Sequence, residues 1–184
     1  MNSRPIVAFV AILLGFWPPP ARATPPDRTA SGRAVGRTEA GQVADGRVGA
    51  VKLDGELTES AWDRVTPIRG FLQRDPREGS AAAFDTEVRV LYDRNYLYVG
   101  VRAFDSDHKQ IVGIRTRRDG DSPSDWIRVM IDSYHDRRTA SEFAVNPAGV
   151  KQERDWFADS PGAPGGGPVW DVSVNRAGRG RGAA

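Results

Sequence analysis

Residues Arg117–Val150 read RRDGDSPSDWIRVMIDSYHDRRTASEFAVNPAGV. The stretch parses into an acidic loop, a strand, a polar turn and a second strand that ends in Asn-Pro-Ala-Gly. Within Asp125–Asp132 the pattern alternates cleanly. Ile127, Val129 and Ile131 fall on one face, and Trp126, Arg128 and Met130 on the other. A strand of this kind lays one face on a core and leaves the other free to meet a partner. The expected strands are Asp125–Tyr134 and Thr139–Asn146.

Working outward, the clearest hairpin comes earlier. Thr86–Tyr92 and Tyr96–Phe104 flank a tight turn at Asp93-Arg94-Asn95. Val88 and Val90 alternate with Glu87 and Arg89. Leu97, Val99 and Val101 alternate with Tyr96, Tyr98 and Arg102. Further expected strands are Val48–Leu53, Gly70–Arg74, Ile111–Thr116, Gly149–Phe157 and Val169–Asn175. SPGAPGGGP before the last of these reads as a flexible loop. One short helix is expected over Leu57–Arg64, with Ala61, Trp62 and Val65 on its apolar side and Pro67 as its stop. Many short strands, regular turns and one helix predict an all-β fold, an antiparallel β-sandwich of immunoglobulin-like or jelly-roll-like form.

The ends of the chain read differently. Arg4 precedes an apolar run, Ile6–Trp17, which is too short to span a bilayer comfortably. A Pro-rich break and Ala21-Arg22-Ala23 follow, so residues 1–23 are expected to be an export signal cleaved after Ala23. The alternative is an uncleaved N-terminal anchor. Residues 24–46, rich in Pro, Gly, Ala, Arg and Thr, are expected to be a disordered linker. The domain then covers 47–175, and 176–184 form an Arg/Gly tail.

The 184 residues hold 26 basic and 24 acidic side chains, a net charge of +2. Loss of Arg4 and Arg22 with the leader brings that balance to zero, so the charge gives no ground for nucleic-acid binding. There is no cysteine, hence no disulfide. The expected location is the periplasm or the exterior, with outer-membrane association as a further expectation.

Three segments together carry a resemblance: VKLDGELTESAW (51–62), TEVRVLYDRNYLYVGVRAFDSD (86–107) and SDWIRVMIDSYHDRRTASEFAVNPAGV (124–150). They resemble the family 9 carbohydrate-binding module, in the version found at the N-terminus of exported bacterial proteins that continue into an outer-membrane β-barrel. The resemblance covers about Val48–Asn175. It implies a β-sandwich that binds sugar chain ends, is linked to glycoside hydrolases of polysaccharide breakdown, and carries structural calcium. Two departures stand out: sugar-binding members carry one clamp tryptophan in the loop before the central strand and a second clamp aromatic C-terminal to anything in this chain, so neither half of that clamp carries over. The loop before the central strand reads Asp121-Ser122-Pro123-Ser124, with Trp126 displaced onto the strand. After Val169–Val174 a further amphipathic strand is expected, yet the sequence reads Ala-Gly-Arg-Gly-Arg-Gly-Ala-Ala. This fits a C-terminally truncated or frame-shifted product, with outer-membrane association residing in the missing region.

Sugar binding needs exposed flat rings, with carboxylates and Arg to bond hydroxyls. The candidate ligand-binding residues are Trp126, Trp156, Tyr134, Arg118 and Asp125, with Phe157 beside them. For Trp126, packing at a core edge is the plainer alternative, and Trp62 and Trp170 read as core. Asp105, Asp107, Asp119 and Asp121 are the candidate ligands of a structural Ca²⁺, against the plain reading of solvated turn acids. His108 and His135 read as exposed loop residues, and no catalytic pair stands out. The expected function is binding of oligo- or polysaccharide without catalysis by this chain alone. The alternative is a periplasmic structural or interaction domain of an outer-membrane β-barrel protein that binds no sugar. A third reading is a fragment of an O-glycosyl hydrolase.

Overall fold

The computed structural model describes residues 5–12, 41–42, 51–157, 160–164 and 169–176. Its strands are β1 (Pro5–Ile12), β2 (Gly41–Gln42), β3 (Thr86–Tyr92), β4 (Leu97–Phe104), β5 (Ile127–Ile131), β6 (Thr139–Val145), β7 (Lys151–Phe157), β8 (Ser160–Pro164) and β9 (Asp171–Arg176). They form two sheets, in the orders β2-β3-β4-β1-β9 and β5-β6-β7-β8. All pairings are antiparallel except that of the two-residue β2 with β3. The fold is all-β and sandwich-like, as the alternation predicts.

The two faces of β3 and β4 explain the core. Val88, Val99 and Val101 meet Ile127, Val129 and Ile131 of β5, Phe143 and Val145 of β6, and Trp170, Val172 and Val174 at β9. This cluster lies between the sheets and holds the inward side chains of both. Phe143 and Trp170 meet edge to face at 5.4 Å. On the opposite face of β3 and β4, Leu91 and Tyr98 are covered by Val51, Leu57 and Trp62. Trp62 is therefore core, as expected, and the sheet is buried on both sides.

Local chemistry sets the turns. The β3–β4 turn is held by Asp93, whose Oδ1 accepts the backbone N–H of Asn95 and Tyr96 at 2.7 and 2.8 Å. Its Oδ2 accepts the Tyr98 hydroxyl at 2.8 Å. Burial and this carboxylate neighbour push the Tyr98 phenol above its usual range. The β5–β6 turn is built on Asp132 and Asp136, whose carboxylates accept the N–H groups of Asp136, Arg137, Arg138 and Thr139.

Several expected boundaries change. The helix α1 is one turn, Ser60–Asp63, instead of Leu57–Arg64. Leu57 is already committed to the core cluster, and Pro67 closes the other side. Residues 51–53 of the expected strand Val48–Leu53 lie in irregular backbone. Gly70–Arg74 is reduced to an isolated bridge, Leu72 with Ala81. Ile111–Thr116 is not a strand, because its backbone groups bond to side chains: Val112 N–H to Asp125 Oδ2 (2.8 Å), Ile114 N–H to Ser124 Oγ (2.9 Å) and Ile114 C=O to Asn146 Nδ2 (2.8 Å).

SPGAP, expected as flexible loop, pairs with β7 as the edge strand β8, a position where proline costs no ladder bond on the outer side. Gly41–Gln42, within the expected linker, pairs with Leu91–Tyr92. Pro5–Ile12, the first part of the expected leader, lies between β4 and β9. The remaining residues of the leader and linker, together with the tail beyond Arg176, lie outside the described residues.

Candidate functional site

The β5-β6-β7 ladder places eight side chains on one outer face, two of them alanines. The register sets Arg128 opposite Ala144, Met130 opposite Glu142, Gln152 opposite Ala144, Arg154 opposite Glu142, and Trp156 opposite Ala140. Cross-strand partners share a face, and these alternate with the core residues Val129, Phe143 and Val145. An outward polar residue normally meets water. Here Glu142 is 4% exposed and Gln152 2% exposed: Glu142 is bonded by Arg128 and Trp156 of the flanking strands, and Gln152 by Gly120 and Asp121 of the segment from Ile111 to Trp126.

Asn146 anchors that segment. Its Nδ2 donates to Ile114 C=O at 2.8 Å and to Ser124 Oγ at 3.3 Å. Its Oδ1 accepts the N–H groups of Ala148 and Val150, both at 3.0 Å, which shapes the β6–β7 turn. Gln152 Nε2 donates to Gly120 C=O at 2.8 Å and Asp121 Oδ1 at 3.2 Å, tying the segment to β7.

A continuous chain of contacts links the two candidate tryptophans. The Arg128 guanidinium lies over the Trp126 ring, 5.5 Å from its centroid. Arg128 Nη1 pairs with Glu142 Oε1, and Nη2 reaches Gln152 Oε1 at 3.4 Å. The other Glu142 oxygen accepts the Trp156 indole N–H at 2.8 Å. Trp126 donates its own indole N–H to Ser122 C=O at 3.2 Å. Both rings are half-buried and fixed by these bonds, and neither belongs to the core clusters. Beside them Met130 is 55% exposed, and Arg154 approaches Asp121 at 3.6 Å. Both Glu142 oxygens are occupied as acceptors, an arrangement that orients donors and rings.

The other expected ligand residues lie elsewhere. Arg118 pairs with Glu153 at 2.6 Å. Glu153 sits opposite Phe143 on the inner face of β7 and accepts the Trp170 indole N–H at 2.7 Å. Arg118 therefore caps a polar link into the core. It borders an open depression of about 350 Å³ lined by Arg115, Thr116, Ala148, Gly149, Val150 and Lys151. Asp125 joins two backbone segments, accepting Val112 N–H and donating its own N–H to Val112 C=O at 2.9 Å. Tyr134 is 66% exposed at the β5–β6 turn, and Phe157 ends β7 on the surface.

The loop acids are engaged as hydrogen-bond acceptors, Asp105 and Asp107 within their own turn and Asp119 and Asp121 with β7. Asp105 Oδ1 accepts Asp107 N–H at 2.7 Å, and Asp107 accepts from Lys109 N–H and Gln110 Nε2. Those bonds hold the Asp107 carboxyl below its usual range, the Gln110 amide first and the Lys109 N–H second. Asp119 Oδ1 accepts Glu153 N–H at 3.0 Å, and Asp121 receives Gln152. Among the described residues no group of three or more His, Cys, Asp or Glu is placed to hold a metal ion.

Arg128, Glu142, Gln152 and Asn146 were not among the expected site residues. The available signal was a polar side chain at the outward position of three successive expected strands, with an amide at the following turn. No family model matches the chain, and neither a curated protein nor a solved structure is found similar to it.

Proposed function

We propose that the domain binds carbohydrate on the outer face of β5, β6 and β7, between Trp126 and Trp156. The observation that carries this reading is the shared network itself. Two indole rings stand on one sheet face, outside both core clusters, each oriented by a hydrogen bond and joined through Arg128 and Glu142. Flat rings stack on sugar C–H faces and a flanking guanidinium bonds hydroxyls, while Glu142 orients both. The resemblance of 51–62, 86–107 and 124–150 to family 9 carbohydrate-binding modules supports the same class and leaves catalysis to other domains. Within this proposal calcium braces the loops carrying Asp105, Asp107, Asp119 and Asp121, and thermal melting with and without EDTA tests it.

The alternative, an interaction domain of an outer-membrane protein, draws on the lack of an aromatic in Asp121–Ser124. Titration of xylo-, cello- and manno-oligosaccharides, followed by tryptophan fluorescence, separates the two. Saturable change supports sugar binding, and none across all three series favours the interaction domain.

A further inference from the structure

The open depression beside Arg118 has a lining of one charge sign. Among the described residues Arg115, Arg118 and Lys151 line it, and no carboxylate does. It stands apart from the Trp126–Trp156 face. Lys151 opens β7 opposite the core residue Val145, on the inner side shared with Glu153, whereas Trp156 lies on the outer side near the other end of the strand. Ala148 and Val150 add apolar surface, and the volume of about 350 Å³ gives room for an organic body beside an anionic group.

The walls are fixed without using up the cations. One wall is the β6–β7 turn, where Asn146 accepts the N–H groups of Ala148 and Val150 on Oδ1 and that of Gly149 on its C=O at 2.9 Å. The other is the stretch from Arg115 to Gly120. It is held to β7 by Asp119 N–H donating to Lys151 C=O at 3.0 Å and by the Arg118–Glu153 pair. Arg118 spends one N–H donor on Glu153, with Asp119 3.7 Å from its Nε, and keeps others for a ligand. Lys151 Nζ reaches Trp170 C=O at 3.2 Å and Asp171 at 3.4 Å, which leaves a donor over. The exposed Arg115 side chain makes no hydrogen bond or ion pair with any described residue. At Gly149, where φ is +79°, nothing lies within 4 Å of the place a Cβ would take, so the rim is open on that side.

We infer that this depression binds a small organic oxyanion of monosaccharide size, its carboxylate or phosphate oxygens set among Arg115, Arg118 and Lys151. Guanidinium groups meet the oxygens of either oxyanion in paired hydrogen bonds, and an ammonium adds a point charge. Cations gathered along a low-dielectric wall also raise the local concentration of an anionic ligand. Ala148 and Val150 meet the carbon skeleton, so a bare ion fills the site less well. The site stands on its own lining, independently of sugar binding at Trp126 and Trp156.

The test is a titration of the full chain followed by the amide resonances of Thr116, Gly149 and Val150, which border this depression. The probes are glucuronate, a glucose monophosphate, glucose and inorganic phosphate. Glucuronate or the glucose monophosphate should shift these amides saturably, at least about tenfold more tightly than glucose or inorganic phosphate, and less tightly as salt rises. Whichever of the two binds more tightly identifies carboxylate or phosphate as the recognised group. Arg115→Gln, which removes no described bond, should weaken that binding by roughly tenfold and leave the melting temperature unchanged. Arg115→Lys keeps the charge and should retain most of the affinity. Arg94→Gln, at the β3–β4 turn, should leave it unaltered. No shift with either organic anion would overturn the inference, as would equal affinity for glucose or for inorganic phosphate. So would a series in which Arg115→Gln binds like Arg94→Gln, or in which Arg115→Lys loses as much as Arg115→Gln.

Discussion

The carboxylate of Glu142 receives the indole N–H of Trp156 at 2.8 Å from the neighbouring strand. The same carboxylate holds Arg128, so one buried acid orients both a ring and a guanidinium on the outer sheet face. Replacing it removes two partners at once. Glu142→Ala is expected to cost about 1.5–3 kcal/mol, the range for hydrogen bonds to charged groups. The partial exposure of Arg128, which water can re-solvate, pulls the value toward the lower end. Glu142→Gln keeps an acceptor for Trp156 and should cost less. Urea unfolding followed by circular dichroism measures both, and equal stability of Ala variant and parent would contradict the network.

Asn146 is 1% exposed and joins the β6–β7 turn to the segment from Ile111 to Trp126. Asn146→Ala leaves Ile114 C=O and the N–H groups of Ala148 and Val150 without these partners. The expected loss is at least about 2 kcal/mol, from several bonds of roughly 1 kcal/mol each with buried groups left unsatisfied. Amide exchange should quicken in 111–126 more than in β3 and β4. A uniform change across both sheets would show that Asn146 acts on global stability and does not hold the segment.

Glu87 on β3 accepts Arg69 and Arg89. Burial raises its carboxyl pKa, but the two guanidinium groups outweigh burial and hold it below the ordinary value of 4.5. A depressed folded value means stability that is fully present above pH 4.5 and is lost as pH falls through the folded pKa. Glu87→Gln should therefore lower stability at neutral pH and show a shallower acid decline than the parent. Urea midpoints measured from pH 7 downward give the comparison, and parallel acid limbs would remove Glu87 from the account.

Gly100 lies under the Trp62 cap. A Cβ there would stand 2.8 Å from Leu57 Cδ2 and 3.1 Å from the Trp62 ring. Gly100→Ala is expected to destabilise by about 1–3 kcal/mol through overpacking. Adding Leu57→Ala should recover part of that loss in a double-mutant cycle, since the two sites share one space. Strict additivity would place the strain elsewhere.

Alternation carried the fold. The valines of β3 and β4 and the isoleucines of β5 face the inter-sheet core, and β3 spans the expected Thr86–Tyr92. Elements without a period were not legible. β8 is Pro- and Gly-rich and gains its place from β7, and Ile111–Thr116 looks like a strand but spends its backbone bonds on Asp125, Ser124 and Asn146. The site was half legible for the same reason. Trp126 and Trp156 announce themselves as aromatics, whereas Glu142 and Gln152 occupy outward positions that read as solvated, and the structure engages them with Arg128 and Trp156 and with Gly120 and Asp121. Of the other expected ligand residues, Arg118 is bonded to Glu153 and Asp125 to Val112, partners that no spacing in the sequence announces.

The central claim is that sugar meets the Trp126–Trp156 face. Its most direct measurement follows the indole N–H resonances during titration with xylo-, cello- and manno-oligosaccharides. Trp62 and Trp170, buried in the two cores, serve as internal controls. The signals of Trp126 and Trp156 should move saturably while those of Trp62 and Trp170 stay fixed. Trp126→Ala or Trp156→Ala should each weaken binding by roughly three- to tenfold, the loss of one stacked ring. No movement of either signal with any of the three series, or movement that survives both substitutions, would contradict the account.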